Sequence, residues 1–260
     1  MPPLQGVGVL VTRPEFQAMP LCRLLESLGA TTLRLPAIEI KPLMDRRALA
    51  AQLAGGLEGF DVILFTSANA VRFGVSLLDQ KRDLTLAALG PATARALNQA
   101  GYRVAIQPGE SFNSEALLAH SRLEHVAGHR ILIVKGTHGR DLLQQELTRR
   151  GATVVCADVY ERVPAKLSTA ALAAVQERFA SGEMQVITAT SLELGAALLA
   201  SAPPELRHEF ERAHWLVPSE RVALGLRDLG LKAPLLQADS AEDQDLAAAL
   251  IRWRSSVSGA

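Results

Sequence analysis

Val9-Leu10-Val11-Thr12-Arg13-Pro14 recurs later in the chain as Ile131-Leu132-Ile133-Val134-Lys135-Gly136, and each run leads on to the same closing triplet, Gly29-Ala30-Thr31 and Gly151-Ala152-Thr153. Arg13 to Lys135 and Gly29 to Gly151 are both 122 positions apart, so no gap interrupts the match. Each copy reads as a short apolar run, a helical pattern (16–28 and 142–150), a glycine and a second apolar run. Short apolar runs between turn residues predict strands buried on both faces. A glycine directly behind a helical pattern predicts a C-cap. Strand-helix-strand units of this kind build parallel sheets.

The same alternation continues outside the repeat. Further strands are expected at 62–66, 85–89, 153–156, 185–189 and 215–217, with others near 31–35 and 104. Helices are expected at 70–78, 92–100, 170–180, 192–200, 222–229 and 246–253, and Gly101, Gly182 and Gly230 take the C-cap position. A second repeat is visible too: Val62 to Ser67 resembles Val186 to Ser191, Leu89-Gly90 corresponds to Pro218-Ser219, and Gly101 to Gly230. The chain therefore runs a, b, a′, b′, and one a unit of two strands with one b unit of three makes a five-stranded doubly wound sheet. Which a joins which b is left open by the repeat. Ile38-Glu39-Ile40-Lys41-Pro42 and Tyr160-Glu161-Arg162-Val163-Pro164 occupy equivalent places between units and both end in proline. If both are crossings (linkers 38–42 and 160–165), residues 42–160 form a continuous domain and 1–38 with 166–260 a discontinuous one. If neither is, the domains stand in tandem.

At 260 residues and 27.8 kDa the chain has room for one large domain or two modest ones. With 48% hydrophobic and 21% charged residues, disorder, collagen and coiled coil are excluded. Lys plus Arg equals Asp plus Glu at 27 each, so no global field recruits nucleic acid or an anionic membrane, and an anionic ligand must be held by local donors. The N-terminus lacks the charged and apolar regions of an export signal, and no apolar run is long enough to cross a membrane. Cys22 and Cys156 each lie amid apolar residues, which predicts small core side chains in a reducing cytoplasm.

In an open parallel sheet, ligands bind beyond the carboxyl ends of the strands, where helix N-termini point N–H groups outward. The turns expected there are rich in hydroxyls and glycine: Thr12-Arg13-Pro14, Thr66-Ser67-Ala68-Asn69, Gly90-Pro91-Ala92-Thr93, Lys135-Gly136-Thr137-His138-Gly139-Arg140, Thr190-Ser191 and Pro218-Ser219-Glu220-Arg221. Such groups grip carboxylates or phosphates without net basic charge, although helix capping alone explains any one of them. The Walker and dinucleotide glycine patterns are absent. The six histidines form no metal-ligand pattern, since Gly128 interrupts the pair His125 and His129. No nucleophile elbow or Cys/His arrangement occurs. Tyr160 opens the second linker, and on chemistry alone it is equally an amphipathic strand residue with a half-buried ring. A nucleotide-using two-domain transferase would need a phosphate grip and a base that the sequence does not offer. A non-catalytic binder of a small anion would need only the rim of hydroxyls.

Taken in order, Val9 to Pro14, Ile63-Leu64-Phe65-Thr66-Ser67-Ala68-Asn69-Ala70-Val71, Ala88-Leu89-Gly90-Pro91-Ala92-Thr93-Ala94, Ser114-Glu115-Ala116-Leu117-Leu118, Lys135-Gly136 with Gly139-Arg140, and Val159-Tyr160-Glu161-Arg162 resemble the uroporphyrinogen-III synthases. The resemblance covers nearly the whole chain, although Thr190-Ser191 and Ser219-Glu220-Arg221 match by position more than by residue. It implies an α/β protein of two flavodoxin-like doubly wound parallel-sheet domains joined by a two-stranded linker, in the discontinuous arrangement. It also implies a cytoplasmic lyase of heme biosynthesis, without cofactor or metal, that closes hydroxymethylbilane to uroporphyrinogen III with inversion of ring D and loss of water. Its partner would be that small molecule, with neither nucleic acid nor membrane. The protein would be a monomer, in at most transient contact with the enzyme supplying the bilane. Tyr160 matches the family tyrosine taken as proton donor to the leaving hydroxyl. Substrate carboxylates would then fall to the strand-end residues Arg13, Thr66, Ser67, Asn69, Thr93, Lys135, Gly136, Arg140, Ser191 and Ser219.

Overall fold

The computed structural model describes residues 1–43, 57, 59–78, 84–109, 111–137, 139 and 141–258. The chain opens with β1 (Gly8–Val11), α1 (Glu15–Ser27), β2 (Thr31–Arg34) and β3 (Ile38–Pro42). It continues through β4 (Val62–Phe65), α2 (Ala68–Gly74), β5 (Leu86–Ala88), α3 (Pro91–Gln99), β6 (Val104–Ile106), α4 (Ser114–Leu118), β7 (Arg130–Gly136), α5 (Leu142–Arg149) and β8 (Thr153–Pro164). The remainder is α6 (Thr169–Ala180), β9 (Val186–Thr188), α7 (Leu192–Ser201), α8 (Pro204–Arg212), β10 (His214–Val217), α9 (Glu220–Asp228), β11 (Leu235–Gln237) and α10 (Asp243–Ser258). This is an α/β protein with parallel sheets, divided into two compact units, Met1–Glu39 with Val163–Ala260 and Ile40–Arg162.

The first unit holds a five-stranded sheet in the order β11-β10-β9-β1-β2, and its strand pairs are parallel. Its inner strands β1 and β9 are buried throughout, as runs of apolar residues with helices on both faces must be. One face packs Phe179, Leu206, Phe210 and Trp215, and the other Leu4, Val9, Leu21, Leu25 and Leu250. Trp215 stands edge-on to Phe210 at 6.2 Å, and its Nε1–H donates to the Phe210 carbonyl at 2.8 Å, so the largest core side chain leaves no polar atom unpaired.

The second unit orders its sheet β3-β8-β7-β4-β5-β6. Val62 to Phe65 on β4 pair in register with Ile131 to Val134 on β7, while Val9 and Leu10 on β1 pair with Val186 and Ile187 on β9. The first strand of each a unit thus joins the first strand of the b unit from the other half of the chain. Two faces are again filled, one by Phe65, Leu97, Leu132 and Tyr160, the other by Leu64, Leu117, Ile133 and Leu147.

Several local expectations need correction. The helix expected over 70–78 ends at Gly74 and continues only as a 3₁₀ turn, Val75–Leu78. α10 extends well beyond 246–253 in both directions. Among the described residues, two α-helices were not anticipated: α4, one short turn capped by Asn113, and α8, whose Pro204 sits at the first helical position, where a missing N–H is harmless. Residues 153–156 are exposed or only part-buried rather than buried on both faces: they form a sheet edge, since β3 pairs with β8 only further along, where Leu43 N–H donates to the Val159 carbonyl and Ala165 N–H to the Ala37 carbonyl. Cys156 lies in that stretch and is part-buried rather than core, whereas Cys22 is buried. Among the described residues no helix is long and apolar enough to cross a membrane.

Candidate functional site

In the unit Ile40–Arg162, three of the anticipated residues meet where the carboxyl ends of β4 and β7 lie beside Tyr160, within β8. Ser67 Oγ lies 3.1 Å from the Tyr160 hydroxyl. The same oxygen accepts from Ala70 N–H at 3.0 Å, which makes Ser67 the N-cap of α2. A hydroxyl has one proton and two lone pairs, so capping and the bond to Tyr160 coexist. Tyr160 is only 5% exposed, with its ring in the core beside Phe73. Gly136 lies opposite Tyr160 where the β7–β8 register shifts, and a Cβ there would stand 2.6 Å from the ring's Cζ. The glycine is needed because the ring takes the space of a side chain.

The neighbouring groups are firmly held. Thr66 donates from both N–H (3.1 Å) and Oγ1 (3.4 Å) to the Val134 carbonyl, which ties the end of β4 to β7. Thr137 N–H donates to the Tyr160 carbonyl at 3.0 Å. Asn69 and Thr93 are buried in the first turns of α2 and α3. Lys135 Nζ pairs with Asp141 at 3.2 Å. Arg140 lies outside the described residues.

The first unit has its own constellation at the ends of β1 and β9. The Thr12 hydroxyl donates to the Thr188 carbonyl at 2.6 Å while Thr12 N–H donates to Thr188 Oγ1 at 3.2 Å, all within buried space. Arg13 extends this tie, its guanidinium reaching Thr190 Oγ1, the Ala241 carbonyl and the Asp243 carboxylate at the start of α10. Its side chain is 11% exposed. Ser191 caps α7 through Leu194 N–H at 3.2 Å, and Ser219 caps α9 through Val222 N–H at 3.4 Å. Ser67, Ser191 and Ser219 are therefore all N-caps, each keeping a hydroxyl proton to donate. The positive charges of Arg13 and Lys135 are balanced within the fold by Asp243 and Asp141.

Asp243, Ala241 and Thr188 were not anticipated as part of this rim. Arg13 and Asp243 are 230 residues apart, and an acidic residue in a first helical turn looks like ordinary dipole compensation. Among the described residues no group of His, Cys, Asp and Glu is arranged to hold a metal ion. What the geometry provides is a phenol and a serine hydroxyl in mutual contact, shielded by a close-packed ring, with further hydroxyls and helix starts along both strand rims.

Comparison with known proteins gives these arrangements a context. Residues 20–248 match the family model described as uroporphyrinogen-III synthase HemD. The uroporphyrinogen-III synthase of Escherichia coli (strain K12) is 33% identical over 255 residues, spanning 94% of this chain and 100% of that protein. That of Salmonella typhimurium is 33% identical over 250 residues, with the same 94% and 100% coverage. Among solved structures, a mutant uroporphyrinogen III synthase from Thermus thermophilus superposes with a TM-score of 0.58 at 21% identity, covering 98% of this chain and 100% of that one. The uroporphyrinogen-III synthetase of Helicobacter pylori 26695 gives 0.58 at 16% identity, covering 96% and 99%.

Proposed function

The chain belongs to the uroporphyrinogen-III synthase family, and on that premise we propose that it converts linear hydroxymethylbilane to uroporphyrinogen III, with inversion of ring D and loss of water, using the Tyr160–Ser67 pair at the leaving hydroxyl. The observation that carries the reading of the site is the 3.1 Å contact between those two hydroxyls. The substrate ionises readily: its terminal C–O bond breaks, the Tyr160 proton leaves with the oxygen as water, and an electrophilic azafulvenium cation remains beside the phenolate. The substituted carbon of ring D then attacks to form a spiro intermediate. Reopening and reclosure invert the ring, and the carbon proton lost on rearomatisation restores the phenol. A strong acid is unnecessary; the work is positioning the chain and excluding water from the azafulvenium cation. Ser67 orients the phenolic proton and, as the α2 cap, is itself held in place.

Each sheet supports a flavodoxin-like reading, since β2-β1-β9-β10-β11 and β8-β7-β4-β5-β6 both follow the doubly wound order once a and b units are aligned. The domains would be 1–38 with 166–260 and 42–160, with the linkers at 38–42 and 160–165. Carboxylates of the substrate would be shared among the hydroxyls and amides of the rims, with a hydroxymethylbilane-supplying enzyme as at most a transient partner of a cytoplasmic monomer. The test is incubation with enzymatically generated hydroxymethylbilane followed by separation of uroporphyrinogen isomers. Type III is expected. Type I alone, as in a control without protein, would overturn the proposal.

A further inference from the structure

The turn that leaves β7 carries an enclosed hydroxyl without a hydrogen-bond partner among the described residues. It is Thr137 Oγ1, although Thr137 as a whole is part-exposed. Native proteins keep few such atoms, because a buried hydroxyl left unpaired is destabilising and an isosteric apolar group would remove the penalty. Its place is specific. Thr137 follows Gly136, which lies against the Tyr160 ring, and its own N–H donates to the Tyr160 carbonyl at 3.0 Å. The backbone therefore holds the Thr137 side chain at a fixed offset from the phenol.

We infer that Thr137 is a substrate-binding residue whose hydroxyl makes its hydrogen bond only in the complex, to a carboxylate oxygen of the bilane. The inference rests on the reaction proposed above. A rotation about χ1 moves the hydroxyl between staggered positions while the backbone bond to Tyr160 stays intact. Among the described residues of this turn, Lys135 is paired with Asp141, and the Thr137 hydroxyl is a neutral donor suited to an anionic group. A carboxylate bound at Thr137 would also set the distance between the pyrrole bearing it and the Tyr160 hydroxyl.

Thr137→Val and Thr137→Ser in the full chain separate this role from packing, because valine keeps the shape without the hydroxyl and serine keeps the hydroxyl without the methyl. Each is assayed for thermal melting and for steady-state kinetics with hydroxymethylbilane. Valine should melt at or above the wild-type midpoint yet raise KM about tenfold, the scale of one charge-assisted hydrogen bond. Serine should stay within about twofold of wild type in KM, as a hydroxyl donor of the same kind. A valine variant with unaltered KM would refute the assignment, as would equal impairment of both variants, which would mark a packing role. If the wild-type chain itself yields no type III product, the reading of the reaction fails and this inference falls with it.

Discussion

Adding one methyl group at Gly136 tests the central geometry most directly. In Gly136→Ala the new Cβ would stand 2.6, 2.7 and 3.1 Å from Cζ, Cε2 and Cε1 of Tyr160. Carbon atoms in contact sit at about 3.5–4.0 Å, so the ring must withdraw by roughly 1 Å. It has little room to do so, being buried among close-packed neighbours that do not yield like a liquid. Overpacking of this kind costs about 1–3 kcal/mol. A withdrawal of about 1 Å also carries the hydroxyl beyond hydrogen-bond reach of Ser67, a further loss of about 1 kcal/mol. The relief from losing glycine's extra freedom in the unfolded chain, about 0.4–1 kcal/mol, offsets part of this. The net is a destabilisation of roughly 1–4 kcal/mol, which for a unit of this size lowers the melting midpoint by roughly 5–15 °C. Melting followed by circular dichroism, with turnover and the type III to type I ratio on the same samples, measures both consequences. Gly139→Ala is the control, since a Cβ there meets no atom of the described residues within 4 Å. If Gly136→Ala melts within a degree or two of wild type and turns over normally, the Tyr160 ring does not lie against Gly136.

Tyr160→Phe should fold, because only one hydrogen bond is lost and Ser67 retains its cap on Ala70, while turnover falls about tenfold to a hundredfold, below the upper range for a lost proton donor because the leaving group departs readily; undiminished turnover would make the hydroxyl a structural group only. Arg13→Ala should destabilise the chain by about 1–2 kcal/mol in urea titrations, because it strips a partner from the part-exposed Asp243 and removes bonds to Thr190 and Ala241, and a double-mutant cycle with Asp243→Asn should show coupling of about 1 kcal/mol. Additive effects would show that the pair is incidental. Glu146, hydrogen-bonded by Arg149 and Arg150, has its carboxyl lowered from 4.5 to about 2. Its folded pKa lies below the unfolded one, so its contribution is complete above about 4.5 and disappears as pH falls through about 2. The melting difference between wild type and Glu146→Gln should therefore shrink on acidification from about pH 5 to about pH 2, and a constant difference would contradict the assignment.

The parts of the fold that were readable from sequence are those where burial leaves no alternative. β1, β4 and β7 must be apolar because helices cover both faces, and the tight turns behind α1 and α5 require positive φ, taken at Gly29 (+94°) and Gly151 (+88°). Legibility fails where a single pattern has two meanings. Pro203-Pro204 reads as a turn, but it is also a sound helix start, and α8 begins there. At the rims, Ser67 and Tyr160 were each visible as candidates, yet their contact joins residues 93 apart and depends on strand order rather than on any local signal. The unpaired Thr137 hydroxyl is a property of enclosure, which no residue type announces.

The pairing of β1 with β9 has a consequence for how the chain comes off the ribosome. β2 is available to β1 almost at once, but its other edge, where Val9 meets Val186 and Gly8 N–H meets the Gln185 side chain, waits for about 175 more residues. At synthesis rates of roughly 5–20 residues per second, that edge stays open for about 9–35 seconds. All the strands of Ile40–Arg162 are made within that interval, so this middle unit can complete its sheet while the first fragment, β1-α1-β2, is still an exposed and sticky half-sheet. Fragments or ribosome-stalled chains ending before residue 186 should therefore bind chaperones through residues 8–11, and the demand should vanish once β9 emerges.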